Sequence, residues 1–479
     1  MKSFRAFWIL LLPCLCLCET PGAHQQLEKL VDSNSAEYSK VSKEIWGYAE
    51  LGYHEEKSST LLQSELKKAG FEVKAGVADE PTGFVASYGS GKPVIAMLGE
   101  FDALPGLSQA SVPDRSPVTE NAPGHGCGHN LLGSGAALAA VAVKEYMEAN
   151  HVQGTLRYYG TPAEEGGSGK VYMLRAGLFR DVDVVLHWHP GDRNAVNNGG
   201  MLAITTARFK FHGIAAHAAA APDRGRSALD AVMLMGNGIE FMREHVPSTT
   251  RIHYIISNGG QAPNIVPETA EMYLFARSPN LATLNNIWAR INKIAEGAAM
   301  MTETTLEVNS LDGDANIIGN DVLAKVAQKD LEEVGGFRYT PEETHFAEEL
   351  QKSLPQEGRR DLHSTENVMP LKPYDPNQPS ASTDVGDISW NLPTIGFSAA
   401  TFVPGVAAHT WQAAACAGTT IGQKGMVVSA KAMALTAADL FADPKLVADA
   451  KVEFARQMQG KTYRSMIPEG QKPPLDYRK

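Results

Sequence analysis

The chain has 479 residues, of which 43% are hydrophobic and 20% are charged, and it carries a formal net charge of −11. A chain of this length exceeds one ordinary hydrophobic core, so two domains are expected. The composition is that of a soluble globular protein, and the acidic balance excludes the basic face that nucleic-acid binding requires.

The first residues have the pattern of a signal peptide. Lys2 and Arg5 precede an apolar run over residues 7–18, which is too short to cross a membrane as a helix. We expect residues 1–18 to be removed and the mature protein to be secreted or periplasmic. Lipid attachment at Cys18, or an uncleaved anchor, is the alternative interpretation. No later run reaches the roughly 18 apolar residues of a membrane span.

Helices alternate with apolar strands along the next part of the chain, where hydrophobic periodicity predicts three of each. The helices are predicted over residues 27–53, 58–69 and 133–149, and the strands over residues 93–98, 155–160 and 182–188. This alternation predicts an α/β catalytic domain, with a mostly parallel sheet flanked by helices, that begins with residues 25–202.

The pattern changes over residues 203–313, where the predicted order is strand, helix, strand, strand, helix, strand. This is the βαββαβ order of a ferredoxin-like unit, which we interpret as an inserted domain. The α/β pattern then resumes over residues 314–456. Its predicted elements are a helix over 321–334, a strand over 394–397 and a helix over 424–441. Residues 335–382 are predicted to form a long surface loop, and residues 457–479 a poorly ordered tail.

Metal-binding residue types cluster in the segment Gly124-His125-Gly126-Cys127-Gly128-His129-Asn130. A thiolate and an imidazole two residues apart suit zinc and its neighbours among the transition metals. The glycines let the backbone turn tightly around an ion. A glycine-rich turn that buries a cysteine is the alternative interpretation of this segment.

Glu164 and Glu165 follow the strand predicted over residues 155–160. In open α/β sheets, the loops at the carboxyl ends of the strands build the binding site. Adjacent carboxylates diverge, so one can bind a metal while the other exchanges a proton with water. An ordinary acidic loop is the alternative interpretation.

Further candidates end other strands or lie in a loop of small residues. His187 and His189 point to one face of the strand predicted over residues 182–188, and His409 lies in the loop. Asp102 follows the strand over residues 93–98, where it could orient a ligand. Each is weak alone, because a strand-end histidine more often only makes a hydrogen bond. Together, the donors that suffice for two metals are Cys127, His129, Glu165, His189 and His409.

These motifs resemble those of peptidase family M20. The resemblance is to its amidohydrolases with a Cys-Gly-His ligand pair, and most closely to the B-type subunit of aminobenzoyl-glutamate hydrolases. The matching segments are residues 99–106, 125–133, 161–167, 188–191 and 409–412. Glu100 and Asn130 replace two aspartates of the usual family pattern, and we interpret both as marks of the subgroup.

The resemblance implies a catalytic domain with two adjacent divalent metal ions, zinc or manganese, and a lid domain that also mediates dimerisation. The implied metal ligands are Cys127, His129, Glu165, His189 and His409. Glu164 would be the general base and Asp102 would support the site, with His187 and Asp384 behind the ligands. The implied substrate-binding residues of the lid are His217, Asn264 and Arg277, and in similar proteins the histidine sometimes comes from the partner subunit.

The sequence therefore predicts a metal-dependent amidohydrolase. Its substrates would be N-acyl or N-aroyl amino acids of the p-aminobenzoyl-glutamate kind, or short peptides, with a free carboxylate. One alternative is an aminopeptidase or dipeptidase, which an acidic side chain in the substrate cleft would favour. The other is a non-catalytic metal-bound subunit of a heterodimer. A homodimer is expected, with a heterodimer as the alternative, and Cys416 is expected to be a buried packing residue.

Overall fold

The computed structural model describes residues 22–375 and 381–478, so the predicted signal peptide lies outside the described residues. The described helices are α1 (Ala23–Tyr48), α2 (Glu56–Lys68), α3 (His129–Asn150), α4 (Gly169–Arg175), α5 (Ala228–Arg243), α6 (Leu281–Thr302), α7 (Asp321–Val334), α8 (Pro341–Lys352), α9 (Val385–Ser389), α10 (Trp411–Ala417), α11 (Thr420–Ala442) and α12 (Pro444–Met458). The described strands are β1 (Glu72–Ala75), β2 (Phe84–Ser90), β3 (Val94–Glu100), β4 (Gly154–Thr161), β5 (Val184–Gly191), β6 (Ala195–Asn197), β7 (Ala203–His212), β8 (Arg251–Asn258), β9 (Thr269–Ser278), β10 (Thr305–Asp314) and β11 (Thr394–Ala400).

A mixed sheet of seven strands forms the centre of the larger domain, in the order β1-β2-β4-β3-β5-β11-β6. The four middle strands run parallel, whereas β1, β2 and β6 join antiparallel at the two sides. The prediction of an α/β domain with a mainly parallel sheet is therefore confirmed. The sequence did not predict β1, β2 or β6. Strands β1 and β6, of four and three residues, are too short to show an alternation.

Strand β3 is buried along its whole length, because other elements cover both faces of the sheet. Ile95 and Met97 face the core that includes α1, α3 and α11, whereas Ala96 and Leu98 face a second core with Phe179. Strands that are buried on both faces have continuous apolar runs in their sequence. Because β3, β4 and β5 are parallel, their carboxyl ends meet at one edge of the sheet, and the candidate site residues follow there.

Helix α11 lies in this core against α1, α3 and α7. By length and hydropathy it is the one described helix that could cross a membrane, and 78% of its most apolar stretch is buried inside the protein. Its apolar character is therefore accounted for by its packing in the larger domain.

The second sheet has four antiparallel strands in the order β10-β7-β9-β8. Along the chain its elements follow as β7, α5, β8, β9, α6 and β10, which is the βαββαβ order of a ferredoxin-like unit. We call this unit the small domain. Helices α5 and α6 pack on one face of the sheet, where Phe209, Ile239 and Met272 are buried. The other face lines a cavity opposite the carboxyl edge of the larger sheet.

Two expectations for the C-terminal third were wrong. Residues 335–382 do not form one long loop, because α8 interrupts them, with a capping box between Thr340 and Glu343. The tail is not poorly ordered up to residue 478: α12 extends to Met458, and beyond it Met466 and Ile467 are buried. Isolated anchor residues such as these leave no hydrophobic period in the sequence.

Candidate metal centre

The glycine-rich segment forms a tight loop that leads into α3. Gly128 has a φ of 77°, and a Cβ at this position would lie 2.9 Å from Pro190 at the end of β5. Both the left-handed conformation and the close approach of β5 therefore require glycine here. His129 is the first residue of α3, and Cys127 is buried in the loop just before it.

Asp102 positions two of the predicted ligands. The Nδ1 of His129 lies 2.8 Å from one carboxylate oxygen of Asp102, so a proton on Nδ1 leaves Nε2 available to a metal. The other oxygen accepts a hydrogen bond of 2.9 Å from the backbone N–H of Glu165. Burial alone would raise the pKa of Asp102, but the charge and hydrogen bond of His129 hold it below its usual value.

Strand β5 brings His189 to the loop. Its Nδ1 lies 2.8 Å from the carbonyl oxygen of Pro190, and its Nε2 lies 3.4 Å from the Sγ of Cys127. Cys127, His129 and His189 form a first donor group, with ligand atoms within 4.8 Å of one another. Burial raises the pKa of the Cys127 thiol, but the charges of His189 and His129 outweigh this and lower it to about 6. The thiolate, which is the form that binds metals, is favoured at neutral pH.

A sharp turn after β4 separates the two adjacent glutamates. Ala163 has a φ of 54°, and its N–H donates a hydrogen bond of 2.8 Å to the buried carboxylate of Glu55. Glu165 joins Cys127 and His409 in a second donor group, whereas Glu164 lies in a different group with Glu100 and His129. The two carboxylates diverge, as their adjacency predicts.

His409 reaches the site from a loop far along the chain. The backbone N–H of His409 donates a hydrogen bond of 2.8 Å to the backbone carbonyl of Gly126, which ties its loop to the glycine-rich loop. Its φ of 63° is unusual for a residue with a side chain, and such conformations cluster at functional sites. Its Nε2 lies 3.2 Å from Oε1 of Glu165. Because Cys127 belongs to both donor groups, the two groups are adjacent.

The donor set fits divalent cations. The Nε2 of His129 and Oε1 of Glu165 are buried, and neither has a hydrogen-bond partner among the described residues. Oε2 of Glu100, 3.2 Å from that Nε2, likewise makes no hydrogen bond. Buried polar atoms without partners are rare, and a cation in each group would satisfy the ligand atoms. Thiolate, imidazole and carboxylate together suit zinc, and the carboxylate also suits manganese.

A buried lysine, which the sequence did not single out, supports the site from behind. The Nζ of Lys170 lies 2.7 Å from Glu100 and 2.6 Å from Asp384, and the lysine side chain is fully buried. The Lys170 backbone N–H also donates to Asp384 over 2.9 Å. Asp384 is thus placed behind the ligands and is linked to His129 through Lys170 and Glu100. Burial raises the pKa of Asp384 to about 6, against the opposing charge of Lys170.

His187 belongs to neither donor group. It is buried where β5 pairs with β11, and a Cβ on Gly396 would lie 2.4 Å from its ring. Burial lowers the pKa of His187 to about 4, although the charge of Glu100 opposes this. His187 is therefore neutral at physiological pH.

A cavity of about 750 Å³ lies between the donors and the free face of the small domain's sheet. Some of its lining residues stand in register across β9, β7 and β10. Arg277, Ile204 and Asp314 form one row, and the next row on the same face contains Asp312. Arg277 therefore shares a cavity with Cys127, Glu164, Glu165, His189 and His409.

The structure does not bring His217 and Asn264 to this cavity. Both are exposed, and they lie on neighbouring loops of the small domain. His217 forms an isolated bridge with Ile265, and the N–H of Ala218 donates to the carbonyl of Asn264 over 3.0 Å. Within one chain, these two residues are close to each other and separate from the metal donors.

Sequence reasoning missed several residues of the cavity. Asp312 and Asp314 lie at the end of β10, and their place in the cavity follows only from the register of β10 on β7. Tyr477 and Arg478 lie in the segment expected to have no fixed place, yet both line the cavity.

The two described cysteines, Cys127 and Cys416, are free and buried. Cys416 is fully buried, and burial raises the pKa of its thiol to about 12. The expectation of a packing residue is confirmed, and Cys127 remains available to a metal.

The chain belongs to peptidase family M20/M25/M40, whose sequence profile matches residues 96–433, and it is an enzyme with amidohydrolase or peptidase activity. It is 40% identical over 470 residues to the B-type subunit of p-aminobenzoyl-glutamate hydrolase from Escherichia coli, covering 93% of this chain and 98% of that protein. It is 29% identical over 445 residues to the Xaa-Arg dipeptidase of Mus musculus, covering 90% and 91%. A dinuclear metal binding peptidase of the M20 family from Bacillus subtilis shares the fold, with a TM-score of 0.58, 14% identity, and coverage of 86% of this chain and 99% of that one.

Proposed function

We propose that the protein is a two-metal amidohydrolase that removes an acyl or aroyl group from the nitrogen of an amino acid with a free carboxylate. The supporting observation is one cavity that combines two adjacent donor groups, the carboxylate of Glu164 and the guanidinium of Arg277. The similarity to one component of a p-aminobenzoyl-glutamate hydrolase supports this substrate class. Because that relative is named as a subunit, a heterodimer is an alternative to a homodimer.

Two divalent cations fit the donor groups. Cys127, His129 and His189 would hold one, and Cys127, Glu165 and His409 the other. When bound, the cations polarise the scissile carbonyl and lower the pKa of the attacking water. The single thiolate and the imidazoles favour zinc, and manganese is the alternative.

Glu164 acts as the general base. Burial raises the pKa of its carboxyl well above the usual value, and the charges of Glu100 and Glu165 raise it further. The charge of His129 opposes these shifts, and a cation in the donor groups would oppose them further. The carboxylate would then be able to take a proton from water near neutral pH. Glu164 then returns the proton to the departing amine nitrogen.

Arg277 binds the substrate carboxylate. Its Nε is buried and has no hydrogen-bond partner among the described residues. A guanidinium with free donors binds a carboxylate through two parallel hydrogen bonds. His217 and Asn264 would stabilise the developing oxyanion from the small domain of a partner chain, since they lie away from the cavity of their own chain.

A dipeptidase is the second candidate function, favoured by two buried acidic residues in the cavity. Asp312 and Asp314 are 7% and 3% exposed, and Oδ1 of Asp314 has no hydrogen-bond partner among the described residues. Such groups could bind the free amine or a cationic side chain of a peptide. The similarity to Xaa-Arg dipeptidases supports this alternative.

A substrate panel separates the two functions. Enzyme stripped of metal and reloaded with zinc, manganese or cobalt is assayed on N-benzoyl and p-aminobenzoyl amino acids and on dipeptides with the same carboxyl-terminal residue. We expect the acylated substrates to be cleaved with the higher kcat/KM. Faster cleavage of the free-amine dipeptides would favour the dipeptidase, and no cleavage of either by metal-loaded enzyme would contradict both.

Replacing the base tests the assignment of Glu164. Glu164→Gln removes proton transfer and keeps the shape, so kcat should fall by about 10²–10⁴-fold. Metal content, measured by mass spectrometry of the dialysed protein, should stay at the wild-type level. Glu72→Gln, at an exposed position on β1, is the matched control and should leave both unchanged. Retained turnover in Glu164→Gln would assign the base to another group.

We also propose that the enzyme works outside the cytoplasm. The support is the signal-peptide pattern of residues 1–18. Cell fractionation with N-terminal sequencing of the mature protein tests this, and an intact Met1 on cytoplasmic protein would contradict it.

A further inference from the structure

The C-terminal segment after α12 crosses both domains before it reaches the cavity. We call residues 459–478 the strap. The Tyr463 hydroxyl donates to Asp387 on α9 over 2.6 Å, and Met466 is buried in the core of the small domain. Farther along, the side-chain amide of Gln471 donates to the carbonyl of Ser310 on β10 over 2.9 Å. The strap is therefore anchored to the larger domain and to the small domain.

The last part of the strap enters the cavity beside the metal donors. The Tyr477 hydroxyl donates to the carbonyl of Glu165 over 3.1 Å, and its ring packs edge-on against Tyr53 with 6.0 Å between the centroids. Gly52 provides the space, since a Cβ there would lie 2.4 Å from the Tyr477 hydroxyl. Arg478 donates to the same carbonyl of Glu165, and both strap residues line the cavity.

Arg478 brings to the cavity a positive charge that is not held in an ion pair with a described carboxylate. Arg208, another arginine of the cavity, lies 2.7 Å from Glu271 in an ion pair. Arg478 and Arg277 have no such pair with the described residues. Tyr477 already binds the Glu165 carbonyl, so the strap has an anchor there without the guanidinium. A guanidinium has five N–H donors, and one carbonyl leaves most of them available to a ligand.

We propose that Arg478 forms an anion subsite of the cavity and binds a second carboxylate of the substrate while Arg277 binds the first. This inference rests on the proposed function. It narrows the substrate to N-acyl derivatives of acidic amino acids, which carry a carboxylate on the side chain as well as on the backbone. Arg478 is then a specificity-determining residue supplied by the end of the strap.

The test compares two arginines of the strap in the full-length, metal-loaded enzyme. Arg478→Gln removes the proposed subsite, and Arg464→Gln makes the same change at an exposed position outside the cavity. Each protein is assayed on N-benzoyl-glutamate and on N-benzoyl-glutamine, which differ only in the charge and donors of the side chain. Arg478→Gln should lower kcat/KM for the glutamate derivative by about 10- to 100-fold and for the glutamine derivative by less than about 3-fold. Arg464→Gln should match the wild type on both.

Folding and function are checked separately. Thermal denaturation of Arg478→Gln should match the wild type, and Arg478→Lys should keep part of the preference for glutamate. Equal losses on both substrates would show that Arg478 has a structural role, and an unchanged preference for glutamate would contradict the proposed subsite.

If the wild type cleaves neither substrate, the proposed function fails. Calorimetry with free glutamate and glutamine then decides on the subsite, through a preference for glutamate of about 10-fold that Arg478→Gln abolishes.

Discussion

At the scale of single residues, buried charges of alternating sign connect the metal donors to the interior. Asp384 pairs with Lys170, Lys170 with Glu100, and Glu100 faces His129, whose other nitrogen contacts Asp102. A buried ion costs several kcal/mol unless an opposite charge lies beside it. Each member of this series is therefore needed by its neighbours.

Replacing the lysine should expose this dependence. Lys170→Met keeps most of the side-chain volume but leaves Glu100 and Asp384 buried without their cation. We expect a loss of about 3–5 kcal/mol in the free energy of unfolding, measured by denaturant titration of the metal-free protein. The loss should be smaller at pH 5 than at pH 8. The pKa of Asp384 is already raised, and without Lys170 both carboxyls take up protons more readily, which relieves the buried charge. Lys74→Met, on an exposed residue of β1, should change stability by less than about 0.5 kcal/mol, and an equal loss in both variants would contradict the argument.

At the scale of elements, close packing of α3 sets the position of the strand that carries His189. A Cβ on Gly135 of α3 would lie 2.8 Å from the ring of Trp188, the residue before His189. The indole N–H of Trp188 donates to the carbonyl of Leu132 over 3.0 Å, so the ring has little freedom to move away. The glycine is therefore required by the neighbouring strand.

Two helical glycines should respond to alanine with opposite signs. Gly135→Ala forces Trp188 or α3 to shift and should destabilise the protein by about 1–3 kcal/mol. Gly297→Ala, in α6, places its Cβ where no other atom lies within 4 Å and should stabilise the protein by about 0.5–1 kcal/mol. Both changes in the free energy of unfolding are to be measured by denaturant titration under the same conditions. If both alanine variants, or neither of them, were destabilised, the lack of space beside Trp188 would not explain the effect of Gly135→Ala.

Elements with a strong internal period were predictable from the sequence, and those held by distant contacts were not. The helix predicted over residues 321–334 has these bounds in α7, since its apolar stripe and its Asn320 cap are both local. The donors that follow strands were predictable for a different reason, which is that neighbouring parallel strands all end at one edge of the sheet. The burial of Lys170 was not, since it depends on Asp384, 214 residues away. The position of Arg478 depends on isolated contacts of the strap, such as the burial of Met466. Isolated residues of this kind leave no hydrophobic period in the sequence.

At the scale of the whole molecule, the small domain exposes much apolar surface. Phe241, Met300 and Met301 are 74%, 82% and 67% exposed. Strand β8 is an edge strand of its sheet, and its Ile255 is 61% exposed. Unpaired edges and contiguous apolar surface mark protein–protein contacts. We therefore expect a dimer formed through the small domain, in which His217 and Asn264 lie close to the partner's cavity.

Mixing two inactive variants tests whether His217 acts across a homodimer. His217→Ala should lower kcat by about 10²–10³-fold through loss of an oxyanion donor, and Glu164→Gln removes the base. In a mixed dimer, the chain with an intact Glu164 receives His217 from its partner, so one complete site forms. Random pairing makes half of the dimers mixed, and activity should recover to about a quarter of the wild-type rate.

The control for this recovery is a pair of lesions that belong to one chain's own site. Glu164→Gln mixed with Glu165→Gln leaves every site defective and should stay inactive, because both glutamates line the cavity of their own chain. Exchange of chains between dimers is verified with two affinity tags before the assay. Recovery in the control as well would point to renaturation and not to complementation. Exchange without recovery in the His217→Ala mixture would show that His217 serves its own chain, after a movement of the small domain toward the metal donors.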